Sequence, residues 1–456
     1  MEQNPFVRSR MTHSLEVAHI GRSIVAVIER KIKEKDQTSE TPDETAFLQK
    51  IESIDRIVET ACLMHDIGNP PFGHFGEKAI QEWFAHNGES ALETALKDSS
   101  SPGKHAKEIY FAKRELLPDF TRFDGNCQGL RIVSKLQRDN DEFALNLLYP
   151  QLAAMVKYPQ LPSVNIEHPR YKRKSSCFFT EKELLASCWN ALRMDKESRH
   201  PLVYVMEAAD DIAYCSSDLE DGIEKGIMSA EEFMDYFFAE YNQLAKATKD
   251  NHIVKKLREK NQKINELHSN GKSHDEIARI AKQAFYDFKR GLISDLVQAA
   301  ADNYIENHWA ILAGEHNGLL SGDTSETQAL DALREMSIKH LYTSENAEII
   351  EIAGNKIITG LLDAFEPLLS MQPVKFHKFC VPEEITSNSL ERRLFNRLAS
   401  KFVDAYKHSY TQLNSTTENK LVLQWHAQAH LIVDHIAGMT DKFASDSFRQ
   451  FSGHYA

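Results

Sequence analysis

A His-Asp pair, His65–Asp66, closes an apolar stretch, and three residues that end helices follow it at Gly68, Pro70 and Pro71. Adjacent side chains on a continuous helix point about 100° apart, which keeps them from facing one ion. Glycine and proline end helices, and a chain that turns here lets both side chains reach the same point. Imidazole and carboxylate groups are common metal ligands. The sequence therefore predicts part of a metal site at the end of a helix.

Apolar residues recur at helical spacing along most of the chain, for example over residues 17–28 and 54–62. This period indicates amphipathic helices packed on a common core. Strand-like alternation is rare, and its best example lies at Met371–Val381. The predicted fold class is therefore all-α, with at most a small β-hairpin at that place.

The bulk composition is that of a globular chain of 456 residues with a net charge of −13. No apolar run reaches the roughly 20 residues that a membrane helix needs, so no membrane partner is expected. The six cysteines are irregularly spaced, which predicts reduced thiols and a cytoplasmic location. The acidic charge argues against nucleic-acid binding over the whole surface. The basic cluster at 170–174 leaves single-stranded DNA open as a local partner.

Two further segments can complete the metal site. His13 lies near the start of the chain, and residues 207–212 contain the adjacent carboxylates Asp210 and Asp211. Two imidazoles with two carboxylates form a mixed nitrogen and oxygen set, which suits a hydroxide-generating Mn, Mg, Fe or Zn site better than a structural zinc site. A single histidine is more often a hydrogen-bonded core or surface residue, but the segments together favour the metal.

Helical spacing separates the two adjacent aspartates. Asp210, Tyr214 and Asp218 follow one another at intervals of four, at about 0°, 40° and 80° around a helix, whereas Asp211 points about 100° away from Asp210. This stripe could bind a metal through Asp210 and a sugar hydroxyl through the other two side chains. The alternative is an acidic, solvated helix face.

His74 and Glu77 lie three residues apart at the start of a predicted helix and so share a face. A carboxylate behind an imidazole fixes its tautomer and raises its basicity, which suits proton transfer near neutral pH. The alternative is an ordinary surface pair. The position directly after the His-Asp turn favours catalysis.

Five blocks now point to one family: residues 10–17, 65–77, 125–131, 206–214 and 434–441. In these blocks the chain resembles the HD-domain deoxynucleoside triphosphate triphosphohydrolases, in particular the bacterial dGTPase and dGTPase-like group. The blocks span nearly the whole chain in the order of the family, and the second block is highly specific by its length alone.

The resemblance implies a mainly helical HD-domain fold and a divalent metal ion, Mn²⁺ or Mg²⁺ first, with Fe, Co or Zn as alternatives. The implied metal ligands are His13, His65, Asp66 and Asp210. The implied catalytic pair is His74 and Glu77. The implied substrate-binding residues are Arg10 for the nucleotide, Asn69 and Asn126 for the triphosphate and catalytic pocket, Tyr214 and Asp218 for the deoxyribose, and Arg334 and Tyr342 for further phosphate and sugar contacts.

The family reaction converts a deoxynucleoside triphosphate to the deoxynucleoside and tripolyphosphate by cleavage at the α-phosphorus. Alternatives are another HD-type nucleotide phosphohydrolase, or a catalytically weak regulator that binds nucleotide or single-stranded DNA. The family also implies a homo-oligomer. In that family an Arg-Leu-Gln-like segment that reaches the base precedes the first block. Only nine residues precede Arg10 here, so either the start codon is misassigned or this is a shortened version. If the segment is missing, base selection and subunit packing are in doubt, whereas the metal site is unaffected.

The predicted division of the chain has three parts. Residues 1–232 form an HD-domain catalytic core, 233–330 a more charged helical appendage, and 331–456 a C-terminal helical part that completes the nucleotide pocket. The alternative is that all three parts form one merged domain.

Overall fold

The structure, a computed structural model, describes residues 9–35, 41–97, 103, 105–138, 143–164, 171, 174–195, 198–244, 251–343, 345–381, 389–414 and 416–453. Within these ranges the regular elements are helices and no strand occurs, so the predicted all-α class is confirmed.

The helices of the N-terminal half are α1 (Arg10–Glu34), α2 (Pro42–Gln49), α3 (Ile51–Met64), α4 (His74–Ala95), α5 (Ala106–Phe111), α6 (Pro118–Thr121), α7 (Gly125–Arg131), α8 (Tyr149–Ala154), α9 (Lys182–Leu192) and α10 (Pro201–Glu224). Short π-helical turns at Ala112–Leu116 and Ile132–Leu136 follow α5 and α7, and a 3₁₀ turn at Phe179–Glu181 precedes α9.

The helices of the C-terminal half are α11 (Ala230–Leu244), α12 (His252–Ser269), α13 (His274–Glu306), α14 (His308–Leu312), α15 (Ser325–His340), α16 (Glu345–Leu369), α17 (Pro373–Lys378), α18 (Leu390–Phe395), α19 (Ser400–Gln412), α20 (Lys420–Ala437) and α21 (Asp441–Phe451).

Helices α1, α3 and α10 pack together at the centre of one hydrophobic core. The apolar stripe of α1 that includes Val17 and Ile24 is fully buried there. Gly21 allows the three helices to approach one another closely. A Cβ atom at this position would lie only 2.7 Å from Cys62 Sγ and 3.7 Å from the Ala209 Cβ. This contact joins the three helices that carry the predicted metal ligands.

A second hydrophobic core lies between α4, α16 and α20, around Phe84, Phe365 and Trp425. Its helices come from the two ends of the chain, and α20 is buried along most of its length. The C-terminal part of the chain thus packs directly against α4, the helix that begins at His74.

The turn after α3 rests on α7. Helix α3 ends at Met64, as the glycine and prolines that follow it predict. Gly68 contacts α7 so closely that a Cβ atom there would overlap with the Gly125 carbonyl oxygen and the Gly129 amide nitrogen. Glycine is therefore required at this backbone crossing, which holds the His65–Asp66 turn against α7.

The β-hairpin predicted at Met371–Val381 is wrong, because this segment contains α17. Pro373 occupies the first turn of that helix, where its missing N–H costs nothing. Phe376 is buried and Val374 is exposed, whereas residues two apart on a strand would share one face. Apolar runs of this length do not separate the two periods.

The predicted boundary near residue 232 falls inside a continuous core. Phe237 and Phe288, from the range predicted as an appendage, are buried in the same cluster as Ile212 of α10. We therefore propose the merged-domain alternative over a separate appendage. Among the described residues, no helix has the length and apolarity to cross a bilayer.

The crossing of Gly68 and α7 predicts a sharp difference between two glycines. Gly68→Ala should lower the free energy of unfolding by about 3 kcal/mol, because a methyl group overlaps with backbone that cannot move aside. Gly129→Ala, in the same contact, should change it by no more than about 1 kcal/mol, because a Cβ there has its nearest neighbours at 3.6 Å and alanine favours helix. Urea unfolding of both variants tests this, and equal effects would contradict it.

Candidate metal centre

Three helices bring two imidazoles and a carboxylate together. His13 of α1 and His65, directly after α3, both face Asp210 of α10. Asp210 Oδ1 lies 3.4 Å from His13 Nε2 and 3.2 Å from His65 Nε2. These three side chains offer ligand atoms that all lie within 4.8 Å of one another, a separation that one metal ion can bridge.

The tautomer of His65 suits a metal ligand. Its Nδ1 atom lies 2.7 Å from the carbonyl oxygen of Cys62, which can only accept a hydrogen bond, so Nδ1 carries the proton. The lone pair is then on Nε2, which is buried and has no hydrogen-bond partner. Metal-bound imidazoles show this pattern, in which the other ring nitrogen donates to a carbonyl. The orphaned Nε2 fits an ion.

Asp66 lies at the edge of this cluster. Its Oδ2 atom is 3.6 Å from His65 Nε2, and its side chain is more exposed than those of His13 and Asp210. The helix end after Met64 allows this approach of neighbouring residues. The four side chains present two nitrogens and up to four oxygens, a donor set that divalent Mn, Fe, Co or Zn accepts and Mg accepts through its oxygens.

Lys157 contacts the same carboxylate and was missed in the sequence. Its Nζ atom lies 2.9 Å from Asp210 Oδ2. Burial by itself raises the pKa of Asp210, but the Lys157 ammonium and the imidazoles outweigh it and hold that pKa well below its usual range. Burial likewise lowers the pKa of Lys157, but Asp210 and Glu207 raise it overall. Its position directly after the apolar run Leu152–Val156 is the sequence signal that could have revealed it.

Asp211 has a different environment from Asp210. It forms an ion pair with Arg334, with 2.8 Å between Oδ2 and the guanidinium, and Arg334 also contacts Asp331 at 3.0 Å. The two adjacent aspartates therefore point to different partners, as their 100° separation on α10 requires. The phosphate contact of Arg334 stays a prediction.

His74 and Glu77 form a hydrogen-bonded pair at the start of α4. The His74 Nδ1 and Glu77 Oε2 atoms are 2.8 Å apart, and the other oxygen of Glu77 accepts from the Gly125 backbone N–H at 2.7 Å. The hydrogen bond to the Glu77 carboxylate raises the pKa of His74 and outweighs the opposing effect of partial desolvation. Burial raises the pKa of Glu77, but His74 and the Gly125 N–H lower it overall. His74 presents its ring to solvent while Glu77 is buried behind it.

The asparagines and Arg10 surround the turn between α3 and α4. The Arg10 guanidinium donates to the carbonyl oxygens of Asn69 and Pro70 at 2.8 and 2.9 Å. The side chain of Asn69 lies beside Gly125, next to the Glu77 carboxylate. Asn126 donates its side-chain amide to Asp124 at 2.8 Å. The nucleotide and triphosphate contacts of Arg10, Asn69 and Asn126 stay predictions.

The predicted sugar-binding residues meet at one point. The Tyr342 hydroxyl lies 2.8 Å from the Tyr214 hydroxyl and also donates to the Asp218 carboxylate. Burial raises the pKa of Tyr214 to about 12, so the phenol stays protonated. Tyr342 reaches this cluster from the turn after α15, more than a hundred residues from α10 in the chain. A deoxyribose contact by these three residues stays a prediction.

Comparison with known proteins places these features in a family. The sequence model of the HD domain family matches residues 10–122. A deoxyguanosinetriphosphate triphosphohydrolase of Yersinia pseudotuberculosis serotype O:3 (strain YPIII) is 33% identical over 468 residues, 99% of this chain and 88% of the relative. The protein of that description from Enterobacter sp. (strain 638) is 31% identical over 466 residues, again 99% of this chain and 88% of the relative.

The chain belongs to the deoxyguanosinetriphosphate triphosphohydrolase family. The resemblance seen in the sequence motifs is thereby confirmed. The HD domain match ends before α10, so Asp210 comes from outside the matched range and completes a cluster begun by α1 and α3.

The geometry predicts different metal contents for variants of neighbouring residues. Asp210→Ala should lose the bound divalent ion, because it removes the carboxylate that faces both imidazoles. Asp211→Ala and His74→Ala should keep it, because Asp211 pairs with Arg334 and His74 pairs with Glu77. Elemental analysis after equilibration with Mn²⁺ and dialysis measures this. Equal loss from the Asp210 and Asp211 variants would contradict the assignment.

Proposed function

We propose that the protein is a metal-dependent deoxynucleoside triphosphate triphosphohydrolase, which converts a dGTP-like substrate to the deoxynucleoside and tripolyphosphate. The observation that carries this proposal is the position of the His13, His65 and Asp210 cluster, with Asp66 at its edge, next to the pair formed by the exposed His74 imidazole and the buried Glu77 carboxylate. Gly125 joins the two, because its backbone contacts Glu77, Asn69 and the Gly68 turn. The relatives described above are named for this activity, and they align with nearly the whole of this chain.

His13, His65, Asp66 and Asp210 would hold the divalent ion. When bound, such an ion polarises a phosphate oxygen and makes water a stronger nucleophile at neutral pH. The site also needs positive charge from the protein, since a triphosphate is strongly anionic. Lys157, partly buried beside Asp210, would provide such a charge close to the phosphates.

His74 would supply the proton that the leaving 5′-oxygen needs. Its Nδ1 atom is held by Glu77, so Nε2 faces the open side of the site. The Glu77 carboxylate favours the protonated imidazole, which is the form that can act as a general acid. The Gly125 N–H fixes the second oxygen of Glu77, so the carboxylate cannot rotate away from the imidazole.

The substrate sugar would lie against Tyr214 and Asp218. A tyrosine ring packed on C2′ leaves no room for a 2′-hydroxyl, which accounts physically for a preference for deoxynucleotides. Arg10, Asn69 and Asn126 would line the phosphates, with Arg334 and Tyr342 as further contacts.

Several finer properties belong to this proposal. They are Mn²⁺ or Mg²⁺ as the ion, with Fe, Co or Zn as alternatives, assembly as a homo-oligomer, and a cytoplasmic location. Of the basic cluster predicted to meet phosphates or single-stranded DNA, Arg170, Lys172 and Arg173 lie outside the described residues. Lys174 lies 3.9 Å from Asp124, near the start of α7.

Product analysis separates this function from its alternatives. Incubation with each of the four dNTPs and Mn²⁺ should release tripolyphosphate and a deoxynucleoside, and phosphorus NMR identifies the phosphate product. GTP is the ribonucleotide control and should turn over much more slowly. Release of orthophosphate or pyrophosphate would indicate another HD-type phosphohydrolase. Binding without turnover would indicate a regulator. Either outcome contradicts the proposal.

The His74–Glu77 pair predicts a shift of the pH profile. Activity that needs protonated His74 falls as pH rises through the pKa of His74, which Glu77 raises. Glu77→Gln removes the stabilising charge, so this limb should move to lower pH, and the rate above it should fall by about 100-fold. Glu82→Gln, an exposed position on the same helix, is the control and should leave the limb in place. An unmoved limb in Glu77→Gln would contradict the assigned roles.

A further inference from the structure

Helix α20 carries a row of buried polar side chains on one face. His426, His430 and Asp434 follow at intervals of four and are between 0 and 1% exposed, although the helix is otherwise mostly apolar. We call these three residues the polar stripe of α20. Buried polar groups are costly unless each finds a partner, so the contacts of the stripe show what it holds.

The two histidines of the stripe hold Asp119 of α6. The Asp119 Oδ2 atom lies 3.0 Å from His426 Nε2 and 3.3 Å from His430 Nε2. The same carboxylate accepts from the Phe179 backbone N–H at 3.0 Å. These groups are also close enough together for a second metal ion.

Hydrogen bonding explains this cluster better than a metal does. His430 Nδ1 is buried without a partner. If Nε2 bound an ion, Nδ1 would carry the proton and leave a buried donor unsatisfied, whereas metal-bound imidazoles almost always donate that proton. His65 makes that donation, to Cys62. For His430 the proton therefore belongs on Nε2, where it is donated to Asp119.

Asp434, the third member of the stripe, holds α7. Both oxygens of its carboxylate accept hydrogen bonds from Arg131, at 2.9 Å from Nε to Oδ1 and 2.8 Å from a terminal nitrogen to Oδ2. Gln128 donates to the same carboxylate at 3.0 Å. Arg131 is further neutralised by Glu181 at 3.2 Å. A bidentate arginine fixes orientation as well as distance.

The polar stripe of α20 therefore forms hydrogen bonds at both ends of one short segment. Asp119 and Arg131 flank residues 120–130, within which the Gly125 N–H donates to Glu77. We infer that the polar stripe of α20 is a positioning device, which fixes the Gly125 amide on Glu77 and so orients the catalytic pair. The orientation is structural in origin, and its catalytic consequence rests on the proposed function.

Hydrogen exchange tests the positioning without any assay of activity. The double variant Arg131→Met/Asp434→Leu removes both charges of this pair together, while the buried Glu181 keeps Lys135 as its partner at 3.2 Å. Exchange of backbone amides in 122–126 should become about tenfold faster or more. Gln428→Met is the matched control, because Gln428 lies on the same helix but donates to the Leu368 and Met371 carbonyls. Unchanged exchange in the double variant, or an equal increase in the control, would overturn the inference.

A milder variant keeps the test informative if the double variant does not fold. Gln128→Met removes only one of the hydrogen bonds to Asp434 and should accelerate the same amides by a smaller factor. Metal content is measured on the same samples. Two ions per chain, with the second lost in His430→Gln, would show that the Asp119 cluster is a metal site and would overturn the hydrogen-bonded interpretation.

A double-mutant cycle tests the catalytic consequence. In the otherwise unchanged protein, Arg131→Met/Asp434→Leu should lower kcat by about tenfold or more, and in a Glu77→Gln background by less than about twofold, because the contact it supports is already lost. An equal fold-decrease of kcat in both backgrounds would show that the stripe contributes only to general stability. If the unchanged protein releases no tripolyphosphate, the proposed function is wrong, and the exchange measurement still decides whether the stripe holds the Gly125 amide.

Discussion

The hydrogen bond between His65 Nδ1 and the Cys62 carbonyl is the interaction on which the site depends. The last carbonyls of a helix have no partner within the helix, and Cys62 lies in the last turn of α3. This carbonyl accepts a hydrogen bond from Nδ1 of His65. The proton is therefore on Nδ1, and the lone pair is on Nε2, which faces Asp210. In the other tautomer Nε2 would donate to the carboxylate, and the cluster would be a closed hydrogen-bonded group like that of Asp119.

Tight helix packing makes this arrangement possible. The contact of Gly21 with Cys62 and Ala209 brings α1, α3 and α10 close enough for their polar side chains to meet. The Lys157 ammonium beside Asp210 keeps the carboxylate ionised at the edge of an apolar core. On the other side of the turn, α7 supports both the Gly68 backbone and the Glu77 carboxylate, and α20 supports α7. The ion site and the proton-transfer pair are thus both supported by α7.

The local features of this protein could be read from the sequence, because they depend on short spacings. The end of α3, the shared face of His74 and Glu77, and the separation of Asp210 from Asp211 follow from helix geometry alone. The all-α class follows from the dominant helical period. The hairpin prediction for 371–381 is wrong because a short apolar run can satisfy both periods, and Pro373 favours the first turn of a helix there.

Contacts between distant residues could not be predicted in the same way. Lys157 meets Asp210 across 53 residues and Arg131 meets Asp434 across 303, and neither pair lies within a common motif. His426 and His430 lie more than 300 residues from Asp119 in the chain, so their link to it becomes visible only in the fold. Such contacts are set by which helices pack together, a property of the whole chain.

Anomalous scattering from crystals grown with Mn²⁺ tests the central claim most directly. The account predicts one strong peak per chain, within coordinating distance of His13 Nε2, His65 Nε2 and carboxylate oxygens of Asp66 and Asp210. A peak at Asp119, His426 and His430 instead, or an ion that contacts only one of the two helix-borne imidazoles His13 and His65, would contradict it.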